Sequence, residues 1–234
     1  MNAREKLFAA LRGKKSGEET GSASISTELS AIHTRLENLD YGRQDGGVDR
    51  FLARAKAAGS QVFRCATAVE AVSLLVNHVG SGKRCVLTED ALLSSMSLRA
   101  ALAGSGCDLS SVTDAAMTRD NIGARRLYAG SDFGISVALA GLADSGAVVI
   151  SSSQKESRSV SLLPIEHVAL LPASRILPSL LQAAPMIREL QQVSGSSAVT
   201  IVGGPSKTAD IEKVLVTGVH GPAALTIIVI DDPD

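Results

Sequence analysis

From Val48 onward, short apolar runs of strand length alternate with segments of helical periodicity, and this alternation confines the chain to an α/β architecture. Residues 49–58, 67–79, 91–103 and 178–193 read as helices, and Pro185 is expected to bend or divide the last of them. The clearest is 67–79. Thr67 and Glu70 form a capping box, and Val69, Val72, Leu75, Val76 and Val79 share one face. Strand runs fall at 61–65, 84–88, 147–151, 167–171, 199–202 and 225–230. Strands that alternate with helices call for a largely parallel sheet covered by helices on both faces.

The preceding residues follow another rule. Residues 3–12 form a short helical pattern with Leu7, Ala10 and Leu11 on one side, whereas 13–30 are rich in Gly, Ser, Glu and Thr and carry too little apolar surface for a core. The expected organisation is a helical arm with a flexible linker over residues 1–47 and one α/β domain over 48–234.

Composition narrows the function. Lys and Arg total 23 against 24 acidic residues, which gives no general attraction to nucleic acid or anionic membranes. With no Trp, 2 Tyr and 4 Phe, a base-stacking platform is not expected either. No apolar run approaches the roughly 20 residues of a membrane span. The opening MNAREKLFAALRGKK lacks the apolar stretch of a secretory signal, so a cytoplasmic protein is expected. Cys65, Cys85 and Cys107 stand apart, without metal-ligand spacing. They read as small buried hydrophobes, and the chain is expected to hold no metal or cofactor of its own.

The segment 203–222, GGPSKTADIEKVLVTGVHGP, sets two glycine-proline loops around a stretch that reads as one short helix. A helix starting after Gly203, Gly204 and Pro205 would present unpaired N–H groups to an anion. Gly204, Ser206, Lys207 and Thr208 are therefore candidate binding residues for a small carboxylate or phosphate, and Asp210 would decide how acidic a guest is tolerated. His220, in the second loop, is a candidate acid/base or ligand-facing donor. The spacing matches neither a nucleotide phosphate loop nor a dinucleotide fingerprint.

A second constellation is Gly141 to Gly146 before the strand AVVIS, with Asp144 the leading candidate carboxylate and Ser145 and Gly146 beside it. These three residues can equally form an Asx-type turn in which Gly146 supplies the special dihedral. Arg158, with Ser159 and Ser161, could hold a carboxylate in a bidentate pair. His167 reads as a satisfied, partly buried strand residue, and His78 lies near a helix end with no evident partner.

The stretches ADSGAVVI, RSVSLLP, GPSKTADIE and GVHGP, in this order and at this spacing, resemble the LUD-domain family, and the resemblance covers residues 48 to the end. The resemblance implies a fold related to the sugar-phosphate isomerase and CoA-transferase superfamily. It also implies a role beside two iron–sulfur partner proteins in oxidising L-lactate to pyruvate. Asp144 stands where the family commonly has glutamate, the residue type that related CoA-transferases use as a covalent nucleophile, and it is one methylene shorter. Two functions follow: an accessory subunit of a lactate-oxidising system with a small-anion pocket, or a stand-alone enzyme for a phosphosugar or acyl-CoA-type ligand, with Asp144 and His220 as catalytic groups.

Overall fold

The structure is a computed structural model that describes residues 47–112, 121–152, 157–193, 198–209, 215–217 and 221–232. The helical arm expected over residues 1–47 lies outside them except for Gly47, which begins α1 (Gly47–Ala57).

Six strands form an all-parallel sheet. They are β1 (Gln61–Thr67), β2 (Arg84–Leu87), β3 (Asp108–Ser111), β4 (Phe133–Val137), β7 (Glu166–Pro172) and β12 (Ala224–Asp232), arranged in space as β1, β12, β7, β4, β2, β3. Because side chains alternate across a strand, each strand feeds two cores. On one face Ile135 and Val137 of β4, Val168 and Leu170 of β7, and Ile228 and Ile230 of β12 pack with α2 (Ala68–Val79), α3 (Ala91–Ser95) and α4 (Leu98–Gly104). On the other, Ala169, Leu171, Leu225, Ile227 and Val229 meet Phe51 and Ala55 of α1. Further along that face Val86 meets Tyr128 of α5 (Asn121–Ala129) and Val160 of α6 (Arg158–Leu162). Burying each such large aliphatic side chain stabilises by about 1.5–3 kcal/mol.

A second, four-stranded sheet joins this face. Its order is β8 (Ile176–Leu177), β5 (Ala140–Leu142), β6 (Ala147–Ser152), β9 (Ala198–Val202). Val148 and Ile150 of β6 point into the core shared with α1, while Ala147 and Val149 face Ala183, Met186 and Ile187 of α7 (Leu180–Val193). The runs at 147–151 and 199–202 are thus strands as expected, but they pair antiparallel with each other in this smaller sheet rather than joining the parallel one. α7 runs unbroken through Pro185.

Local chemistry explains the element ends. Thr67 caps α2 by accepting from Glu70 N–H at 3.3 Å, and Glu70 reaches back to Ala66 N–H at 2.7 Å, one residue before the position expected of a capping box. The buried stripe of α2 is Ala71, Leu75 and Val79. Val69, expected inside, is 76% exposed, since at 100° per residue it lies about 120° from Leu75. The helix expected over 91–103 is divided into α3 and α4 because Ser97 is left-handed, at φ 52°. β4 was not legible as a strand, and its Gly134 shows why. A Cβ there would lie 1.9 Å from Val160 O, so α6 rests directly on the strand backbone.

Candidate functional site

The described residues of segment 203–222 do not form the helix expected of it. Lys207–Ala209 is a strand, β10, paired antiparallel with β11 (Leu215–Thr217). No helix N-terminus therefore stands after Gly204-Pro205, and the anion site reasoned from one loses its physical basis at that position. β-branched Val216 and Thr217 favour the extended pairing, and Ser206 and Thr208 suit a turn and strand as well as a helix cap. The two loops do meet, as expected. Ser206 N–H donates to Pro222 O at 3.0 Å, and a Cβ on Gly221 would sit 3.4 Å from Ser206 Cβ. Asp210 and His220 lie outside the described residues, as does the side chain of Thr208.

Gly204 and Lys207 are committed to the end of α1. Lys207 Nζ donates to Ala58 O at 2.9 Å, where a cation favours the helix C-terminus. Gly204, at φ +130°, passes so close that a Cβ would lie 2.9 Å from the same oxygen. Asp144 and Ser145 occupy the exposed tip of the β5–β6 hairpin. Gly146 N–H closes that turn on Leu142 O at 2.8 Å, and at φ +71° Gly146 supplies the left-handed step. A Cβ on Gly146 would fall 2.1 Å from Ala55 N, so its own space is filled by α1. The hairpin tip adjoins the glycine-proline turn, since a Cβ on Gly203 would be 3.9 Å from Ala147 Cβ. Arg158 belongs to another neighbourhood: it begins α6, which packs on β4, β7 and α5, and its side chain is exposed.

Polar groups that sequence reasoning left aside gather where β2 and β4 end. Thr88 N–H donates to Ile135 O at 3.0 Å, which sets Thr88 beside Ser136 on the face that α6 covers. Ser136 Oγ lies 2.9 Å from Nε2 of His167, which reaches it from the amino end of β7 beside Gly134, and both side chains are buried. Burial pushes His167 down to about 4, so its ring is neutral at physiological pH. Among the described residues Thr88 Oγ1 and His167 Nδ1 find no partner, which corrects the expectation of a satisfied His167. An unpaired buried polar atom costs about 1–3 kcal/mol, so such atoms are natural anchors for an ordered water or a hydroxyl. Arg175 completes the edge by donating from Nη1 to Ala138 O at 3.2 Å. Carboxyl ends of parallel strands are where open α/β sheets receive ligands. The only sequence signal was Ser136 within the apolar FGISV, too weak to read alone.

A third cluster lies at the opposite, amino end of the sheet. His78 Nε2 is 2.7 Å from Glu166 Oε1, and Thr226 Oγ1 donates to the same oxygen at 2.6 Å. His78 also meets the rings of Phe63 and Phe133 edge-on at 6.1 Å and 5.9 Å. His78 therefore has partners that its place near a helix end did not reveal. Among the described residues, no three His, Cys, Asp or Glu side chains gather to hold a metal ion, and no helix is long and apolar enough to cross a membrane.

Comparison with known proteins places this geometry. Residues 48–230 match the model of the LUD domain. The chain is 43% identical over 121 residues to lactate utilization protein C of Anoxybacillus flavithermus, covering 52% of each protein. It is 42% identical over 104 residues to the Bacillus subtilis protein of the same name, covering 44% of this chain and 43% of that one. The chain thus matches about half the length of these curated relatives. Among solved structures, a DUF162 family protein from Deinococcus radiodurans superposes with a TM-score of 0.55 at 16% identity, over 79% of this chain and 96% of that one, a likeness of fold. With that match across both the parallel sheet and the smaller one, the chain belongs to the LUD domain family.

Proposed function

We propose that this protein is an accessory subunit in cytoplasmic L-lactate utilisation, acting with iron–sulfur partner proteins that take up the two electrons released when L-lactate is oxidised to pyruvate. The observation that carries this reading is its identity of 43% and 42% to two proteins named lactate utilization protein C. The thiols are consistent with redox centres supplied by partners. Cys65 and Cys85 are packed in the core of α2 and the parallel sheet, burial pushes Cys85 up to about 12, and Cys107 Sγ donates to Gly80 O. Cys65 and Cys85, so placed, favour the protonated form over the thiolate that binds iron. A small carboxylate is the ligand in keeping with such a role, and the ends of β2 and β4, with Thr88, Ser136, His167 and Arg175, are the place where it would be received.

The test is affinity capture of the tagged chain, at native abundance, from cells growing on L-lactate and handled without oxygen. Iron–sulfur proteins are expected to co-purify, with iron and acid-labile sulfide in the eluate. Capture of the chain without them contradicts the reading.

A further inference from the structure

A cleft of about 140 Å³ lies at the amino ends of β2 and β3, away from the Thr88 and Ser136 edge. It is lined by Arg84, Asp108, Ser110, Arg126 and Ser131, with Gly130 in its wall. We propose that this cleft is a binding site for a compact oxyanion that also carries a hydroxyl, such as hydrogen phosphate or a 2-hydroxycarboxylate. The site does not depend on a role in lactate use.

Arg84 and Arg126 both line the cleft, and a guanidinium is a planar donor suited to paired oxygens. Arg84 is anchored at its backbone, with its side chain 61% exposed. Asp132 accepts its backbone N–H at 2.9 Å and stands 4.0 Å from its Nε, so that carboxylate is already engaged behind the cleft. Gly130 leaves room for the guanidinium, since a Cβ there would lie 3.2 Å from Arg84 Nη1 and 2.8 Å from Arg126 O. The last carbonyls of α5 would otherwise repel an anion. They are occupied: Arg126 O accepts Gly130 N–H at 2.8 Å, and Leu127 O accepts the Ser131 hydroxyl at 2.9 Å. Asp108 is the one carboxylate in the lining. It opposes a bare anion but accepts from a hydroxyl, which is why the guest needs both functions.

The full chain, labelled with nitrogen-15, would be titrated separately with inorganic phosphate, L-lactate and propionate, the last a carboxylate without the hydroxyl. Saturable shifts are expected at the Arg84 and Arg126 side-chain N–H groups and the Gly130 amide with phosphate, L-lactate or both. Whichever responds identifies the guest, and propionate should bind at least about tenfold more weakly, the loss of one charge-assisted hydrogen bond. Arg126 is exposed, so Arg126→Gln leaves the core intact, and it should weaken binding about tenfold or more. No saturable shift with either hydroxyl-bearing anion up to about 10 mM, an affinity weaker than roughly 3 kcal/mol, overturns the proposal. Undiminished binding in Arg126→Gln, or propionate binding as well as the others, also overturns it.

Discussion

Ser136 Oγ and His167 Nε2 stand 2.9 Å apart on neighbouring parallel strands, and the imidazole is fully buried with its Nδ1 unpartnered among the described residues. Desolvation depresses the folded pKa to about 4 from the ordinary 6.5. Between those values the unfolded chain takes up a proton that the folded chain refuses, so stability rises with pH across the window. It is fully present above 6.5 and is lost as pH falls toward 4, by about 3 kcal/mol for this shift. Urea midpoints measured from neutral pH downward should fall more steeply for the wild-type protein than for His167→Asn. Parallel profiles would show that the ring takes up its proton at the same pH in the folded and unfolded chain.

Thr226 tests the cluster at the other end of the sheet. Its hydroxyl donates to Glu166 at 2.6 Å in a fully buried position, and Val has nearly the same shape without the donor. Thr226→Val should cost about 1.5–3 kcal/mol, the range for a hydrogen bond to a charged partner. Denaturant unfolding reads the difference, and an unchanged midpoint would mean that His78 alone satisfies the carboxylate.

Backbone contact makes Gly134 intolerant. With Val160 O only 1.9 Å from where a Cβ would stand, Gly134→Ala must lift α6 from β4. The cost should reach about 3 kcal/mol, the upper end for overpacking. A thermal midpoint equal to wild type would refute the close approach.

The turn that the sequence marks most strongly should respond as structure rather than as a binding loop. Gly204, at φ +130° and 2.9 Å from Ala58 O at its missing Cβ, cannot accept Val without strain. Gly204→Val should destabilise by more than about 1 kcal/mol, while Lys207→Ala, which loses a hydrogen bond from an exposed side chain, should cost less than that. Equal stability of Gly204→Val and wild type would restore this loop as free space for a ligand.

Much of the fold could be read from the chain because local pattern and tertiary role agree. β7 and β12 are apolar runs buried in the parallel sheet, and Thr67 with Glu70 marks the start of α2. What could not be read depends on distant partners. β6 and β9 look like parallel-sheet strands, and the antiparallel pairing of β6 with β5 and of Val148 with Val202 on β9 places them in the second sheet. Lys207–Ala209 follows a glycine-proline turn that also fits a helix start, and Leu215–Thr217 decides for a strand. For the candidate site, Asp144 and Gly146 stood out by motif, yet Gly146 is needed for packing on α1. Thr88, Ser136 and His167 carry little local signal, because their chemistry exists only once β2, β4 and β7 lie side by side.

Growth of a deletion strain measures the role in lactate use most directly. Cells lacking this gene should fail to grow with L-lactate as sole carbon source, grow normally on pyruvate, and recover on L-lactate when the gene is returned. Wild-type growth of the deletion strain on L-lactate would contradict the central claim.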